Sequence, residues 1–321
     1  MFDRREWMRR FGAATAAVLV ATYGANARAA RVKRLVFVHG RGQQGRTVDE
    51  LKTEWMDTLK RGAAAIGRTV RPDLEVAFPF YGDVLDRFAT EFNIPLVSEV
   101  QSRGSPQDDE FLAFQAEFAD AIRQRAGISD AKVDAEYGVD PTPRGPQNWR
   151  WVQAILRAID KNSPGMGQRT LESFTRDVFL YVTRSGVRDA IDRIVSAAVT
   201  EEPTVVVSHS LGTVVAYSIL RTDRRALQVP LLLTLGSPLG VRAVRDQFRP
   251  LGFPAPVGSW YNAFDTRDVV ALYPLDGDNF PVQKPIENNS GVRNQTDNRH
   301  GITGYLDNSD VVRQILGAVA T

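Results

Sequence analysis

Residues 205–217 read VVVSHSLGTVVAY. Val205 to Val207 have the composition of a fully buried strand, and from Thr213 to Leu220 the pattern turns helical. Between them lies Ser208-His209-Ser210-Leu211-Gly212. It differs by one residue from G-x-S-x-G, a sharp strand-to-helix turn that holds its central serine exposed at the top of a sheet. Such a turn needs small residues two before and two after the serine, so that strand and helix pass closely. Ser208 and Gly212 occupy those places, and serine is a sterically modest stand-in for the first glycine. Ser210 is therefore a candidate nucleophile; the bland alternative is an apolar strand running into an ordinary helix.

Further apolar runs lie on either side of this one. The runs at 34–40, 74–82, 204–210, 230–238 and 258–265 read as strands, and 52–67 and 309–320 read as helices. Buried strands alternating with helices predict an α/β fold with a mainly parallel central sheet flanked by helices on both faces. The interval from 83 to 203 is too long for one crossover and must hold an insertion, of which about 84–165 reads as a helical cap. Within it, 105–127 reads as a helix capped by Ser105, with Phe111, Phe114, Phe118 and Ile122 on one face. Packing of that stripe against the sheet is the expectation, ahead of substrate contact. Residues 128–148 read as a surface loop rich in turn formers. Helices follow near 149–161 and 168–200, the second broken around Ser185-Gly186.

The first 29 residues stand apart. Arg4, Arg5, Arg9 and Arg10 precede a short apolar run, and A-x-A sites follow at Ala25-Asn26-Ala27 and Ala27-Arg28-Ala29. This predicts a signal peptide over 1–29, twin-arginine-like at Arg4-Arg5, and hence an exported protein, periplasmic or secreted, whose folded domain is 30–321. Retention of the segment as an N-terminal membrane anchor is the alternative. The leader also carries the basic excess. Five of the 40 basic and two of the 38 acidic residues fall in it, which leaves 35 against 36 and a net charge of −1. That balance offers no footprint for nucleic acid. With no cysteine in the chain, thiolate chemistry, disulfides and Cys-ligated metals are excluded.

The other chemical groups are spread along the chain. LVFVHGRGQQG (35–45) ends the first strand in His39-Gly40-Arg41-Gly42. Acyl transfer at a serine needs two backbone N–H donors for the developing oxyanion. Leu211, after the nucleophile, offers one, and Arg41 or Gly40 offers the other, the glycines allowing close approach of the backbone. Of the three histidines, only His300, in DNRHGITGYL (297–306), lies far downstream of the turn. It is the candidate general base in the chain order Ser, Asp, His. The acid must fall between them, and WYNAFDTRDVVALYP (260–274) offers Asp265 and Asp268. Asp268 is favoured, with Asp276, Asp278 and Asp297 more remote.

On FVHGRG (37–42), SHSLGTVVAY (208–217), LTLGSPLG (233–240), NAFDTRDVV (262–270) and RHGITGYL (299–306), the chain resembles the serine α/β-hydrolases of the lipase and esterase kind. The resemblance covers most of 33–320 apart from the inserted cap. It implies an α/β-hydrolase fold, a Ser210–Asp268–His300 triad and hydrolysis of a carboxylic ester through an acyl-enzyme, with no metal or cofactor. The implied partner is a small-molecule or lipid ester, with peripheral contact to lipid as an option. An amidase, peptidase or thioesterase with the same triad is the alternative within enzymes, and an inactive binding protein on the same fold is the alternative outside them.

Overall fold

The computed structural model describes residues 32–96, 98, 106–138, 145, 148–162 and 167–320. The signal peptide read over 1–29 and the Ser105 cap lie outside the described residues. Among the described residues six strands form one sheet: β1 (Arg34–Val38), β2 (Glu75–Ala77), β3 (Thr204–His209), β4 (Val229–Leu235), β5 (Val257–Ala263) and β6 (Glu287–Asn289). All neighbours are parallel, in the order β2-β1-β3-β4-β5-β6. The α/β class with a parallel central sheet is as expected.

Both faces of the central strands β1, β3 and β4 are buried, which is why these read as continuous apolar runs, unlike the edge strands β2 and β6. The two-residue period sorts them. Leu35, Phe37, Val205 and Val207 pack with α1 (Val48–Ala65) and α11 (Ser309–Ala320). Val36, Val38 and Val206 face the other way, toward α7 (Ser185–Ala198) and α8 (Leu211–Thr222). The chain runs outward from β1 to β2, then crosses back to β3 on the other side of β1. The carboxyl ends of β1 and β3 thus flank the point where the winding reverses, the place where open parallel sheets hold ligands.

Among the described residues the crossover from β2 to β3 carries six α-helices: α2 (Gly82–Phe92), α3 (Pro106–Arg125), α4 (Asp130–Tyr137), α5 (Trp149–Asn162), α6 (Gln168–Thr183) and α7. Their buried side chains share one apolar cluster with the α8 face of the sheet. The Phe stripe of α3 is buried as expected, but against different partners. Phe111 and Phe114 meet Phe179 of α6 at 5.3 and 5.4 Å between ring centroids, and Phe118 meets Phe174 at 5.8 Å. Helix α6 takes the stripe.

Several boundaries move for local reasons. The strand expected over 74–82 ends at Ala77, because Pro79 has no N–H to give the ladder. The helix expected from 52 begins at Val48, where Thr47 and Glu50 form a capping box. The loop expected over 128–148 contains α4, bracketed by Gly127 and Gly138 and anchored by buried Val133. The break expected at Ser185-Gly186 falls at Arg184, whose ψ of 104° leaves the helical region. Strand β6 was not expected: three polar residues, Glu287-Asn288-Asn289, carry no apolar signal and pair only at the sheet edge.

Candidate active site

Ser210 sits between the last residue of β3 and the first of α8, at φ 56° and ψ −129°. A serine in this region costs on the order of 1–3 kcal/mol, so the surroundings must impose it. They do so through backbone bonds. The Ser210 N–H donates to the Leu235 carbonyl at 3.0 Å, and the Ser210 carbonyl accepts from the Thr213 N–H at 2.9 Å and its hydroxyl at 2.7 Å. The close passage of strand and helix falls on Gly212. A Cβ there would lie 2.4 Å from the carbonyl oxygens of both Val38 and His39. Gly40 is equally confined, since its Cβ would lie 2.8 Å from that of Ser210. Ser208 has room for a side chain, and its hydroxyl donates to the Leu233 carbonyl at 2.8 Å. The first place of the motif therefore tolerates serine, whereas the second requires glycine.

The expected partners converge on Ser210. His300 Nε2 lies 2.7 Å from Ser210 Oγ, and His300 Nδ1 lies 2.7 Å from Asp268 Oδ2. Nδ1–H thus donates to the carboxylate, leaving Nε2 to accept from the serine hydroxyl. All three residues are buried. Asp265 does not take part. Its oxygens accept from the Arg267 N–H and guanidinium and from the Asn294 N–H at 2.6–2.9 Å. Asn294 in turn bonds the Gly301 carbonyl and the Thr296 N–H, so Asp265 braces the loop that carries His300. Asp276 is occupied in its own turn with Asp278 and Asn279. Asp268 takes the His300 Nδ1, which leaves Asp276, Asp278 and Asp297 outside the relay.

Two supporting residues carried no signal in the sequence reading. Two short helices, α9 (Arg242–Arg245) and α10 (Thr303–Leu306), follow β4 and the His300 loop, and Tyr305 on α10 donates its hydroxyl to Asp268 Oδ2 at 2.6 Å. Burial and then the Asp268 charge hold its phenol well above the usual range. It lies five residues beyond His300, on the helix that follows the loop of that histidine. His209 donates from Nε2 to the His300 carbonyl at 2.7 Å, and its ring lies 4.8 Å from that of His300. It fixes the backbone of the base.

A cavity of about 370 Å³ opens on Ser210 and His300. Gly40 and Arg41 line it from the β1 loop, Trp55 from α1, Phe174 from α6 and Ile302 from the His300 loop. Phe174 also meets the His300 ring edge-on at 6.2 Å. Arg41 Nε donates to Asp177 Oδ2 of α6 at 2.5 Å. Helix α6 lies beyond the 84–165 range read as the cap, so its contributions Phe174 and Asp177 were not anticipated. Among the described residues there is no cluster of His, Asp and Glu fit to hold a metal ion, and no helix is long and apolar enough to cross a membrane.

His39 has a structural part beside the site. Its ring stacks on Tyr81 at 4.0 Å, Nε2 accepts the Tyr81 N–H at 3.1 Å, and Nδ1–H donates to the Gly40 carbonyl at 2.6 Å. Burial pushes this imidazole down to about 4, against the opposing pull of the Gly40 carbonyl. Burial, and then the neighbouring His300, drive His209 well down too. The unfolded chain takes up these protons near pH 6.5, whereas the folded protein takes up the His39 proton only near 4. Stability therefore falls as pH drops from 6.5 to 4, by about 3 kcal/mol for His39 alone. Asp192 acts in the opposite direction: burial lifts it to about 6, so acid below that relieves its charge. Urea unfolding of the parent and of His39→Gln between pH 7 and 4 isolates the histidine. The variant is expected to show the shallower decline, and equal slopes would separate His39 protonation from folding.

No protein-family model matches the chain, and no curated protein matches it in sequence.

Proposed function

We propose that the protein is a serine hydrolase of the α/β-hydrolase kind that cleaves carboxylic esters. The observation that carries this reading is the Ser210–His300–Asp268 relay, with both contacts at 2.7 Å, at the mouth of a cavity. His300 Nε2 accepts the Ser210 proton as Oγ bonds to the acyl carbon. The oxyanion so formed collapses, the alcohol leaves with the proton from His300, and an acyl-enzyme remains. Water, deprotonated by His300, then attacks the acyl carbon, and Oγ recovers its proton as the acid departs. Asp268 holds the tautomer and stabilises the imidazolium.

The oxyanion donors fit the same reading. Leu211 is the first residue of α8, so its N–H has no partner within the helix. Arg41 or Gly40 supplies the second donor from the loop that Gly40 brings against Ser210. The chemistry needs no metal or cofactor, and the substrate is a small-molecule or lipid ester; at about 370 Å³ the cavity lies toward the small end of ligand sites. The leader reading of 1–29 makes this an exported enzyme.

The test is direct. The protein is incubated with a fluorophosphonate probe and with a short-chain chromogenic ester, and the labelled peptide is identified. Labelling at Ser210 together with ester turnover is the expected result. Native protein that reacts with neither, beside a positive control, would return the fold to the class of binding proteins.

A further inference from the structure

Arg41 combines two positions: it borders the cavity in the loop against Ser210, and its side chain reaches Asp177 of α6, the helix that also lines the cavity through Thr170 and Phe174. One of its five N–H donors is committed, Nε to Asp177. Among the described residues the two terminal nitrogens have no hydrogen-bond partner. Asp177 is nearly buried, with 6% of its side chain exposed, so the guanidinium is held along one edge by a fixed group. What remains is the end-on pair of N–H groups, the fork that receives the two oxygens of a carboxylate.

The charges around the fork favour an anion. The second oxygen of Asp177 lies 3.6 Å from Arg176 Nε, so two guanidiniums share one carboxylate and leave one positive unit in surplus. The cavity's other ion pair, Arg46 with Glu54 at 2.8 Å, cancels internally. Asp268 is fully buried behind His300 and engaged by His300, Tyr305 and the Val270 N–H. One surplus unit matches a carboxylate, whereas a phosphate monoester brings about −1.5 to −2 at pH 7.

We propose that the ester taken by Ser210 carries a carboxylate a few bonds from the scissile carbonyl, bound by the Arg41 fork that Asp177 holds in place. The inference rests on the serine-hydrolase reading and narrows its substrate class to half-esters and acylated hydroxy acids. Arg41 is then a specificity-determining residue and Asp177 a positioning residue.

Two matched pairs of esters test it at low ionic strength. Mono-4-nitrophenyl glutarate against 4-nitrophenyl valerate offers the carboxylate on the acyl side. The acetates of 4-hydroxybenzoate and 4-hydroxybenzamide offer it on the leaving group. At least one pair is expected to show a preference of about tenfold or more for the anion in kcat/KM, expressed in KM. Added salt should shrink it. In Arg41→Gln the ratio falls toward one, whatever the rate on the neutral ester. Arg41→Lys keeps part of it, and Asp177→Asn lowers it by releasing the guanidinium. A ratio near one in both pairs for the parent, or a ratio unchanged in Arg41→Gln, overturns the proposal while leaving the hydrolase reading intact. If no ester is turned over and Ser210 takes no probe, the hydrolase reading fails by itself. Calorimetry with glutarate then decides the anion site: binding that is lost in Arg41→Gln supports it, and absence of binding to the parent overturns it.

Discussion

Ser210→Ala is expected to lower kcat on any accepted ester by about 10⁶-fold, and Asp268→Asn by about 10⁴-fold. Asp265→Asn should cost less than about tenfold, although Asp265 lies only three residues away. The contrast follows from what each carboxylate holds. Asp268 Oδ2 receives the His300 Nδ1 proton at 2.7 Å and the Tyr305 hydroxyl at 2.6 Å. An asparagine there turns an N–H toward the imidazole or offers a neutral oxygen. The first favours the wrong tautomer, and the second stabilises the imidazolium poorly. Asp265 is equally buried, but its partners are Arg267 and Asn294. Its loss loosens the His300 loop and is expected to appear mainly as reduced stability. Steady-state rates on a short-chain ester, with unfolding curves for each variant, separate the two. Comparable losses of kcat at 265 and 268 would remove the assignment of Asp268 as the acid.

The largest stability effect is expected at Gly212. Alanine there brings a methyl group to 2.4 Å from two carbonyl oxygens of the β1 end. Neither oxygen can retreat freely, because Val38 is held by its pairing with Ser208 of β3 and the His39 carbonyl accepts the buried Tyr81 hydroxyl. Overpacking of a well-packed core costs typically 1–3 kcal/mol, and a clash with fixed backbone on both contacts puts Gly212→Ala at about 3 kcal/mol or beyond. The first motif position behaves differently. Ser208→Gly removes one hydrogen bond to Leu233 and adds backbone entropy to the unfolded chain, together about 1–2 kcal/mol. That variant is expected to fold and to keep its reactive serine. Urea midpoints for the two proteins check the order, and a Gly212→Ala protein as stable as the parent would refute the steric argument.

Legibility in the sequence tracked the range of the interaction responsible. The strands at 34–40, 204–210, 230–238 and 258–265 were readable because burial on both faces makes a strand uniformly apolar over a few residues. Helix α4 and strand β6 were missed because each is short and is held by packing on another element, α4 on α5 and β6 on β5. The nucleophile turn was readable because its steric demand, glycine two residues after the serine, is local. Phe174 and Asp177 were missed because nothing in α6 announces that it borders the cavity.

By itself, the sequence determined the element types along most of the chain, the α/β class, the candidate serine and the shortlist of partners: one distant histidine and two neighbouring aspartates. The tertiary structure alone decided among them. Ser210 and His300 stand 90 positions apart, His300 and Asp268 32, and Arg41 and Asp177 136. Local propensity has no reach over such separations. The structure brings each of these pairs within about 3 Å, because the loops that follow β1, β3, β5 and β6 all leave from the carboxyl ends of parallel strands and α6 reaches the first of them.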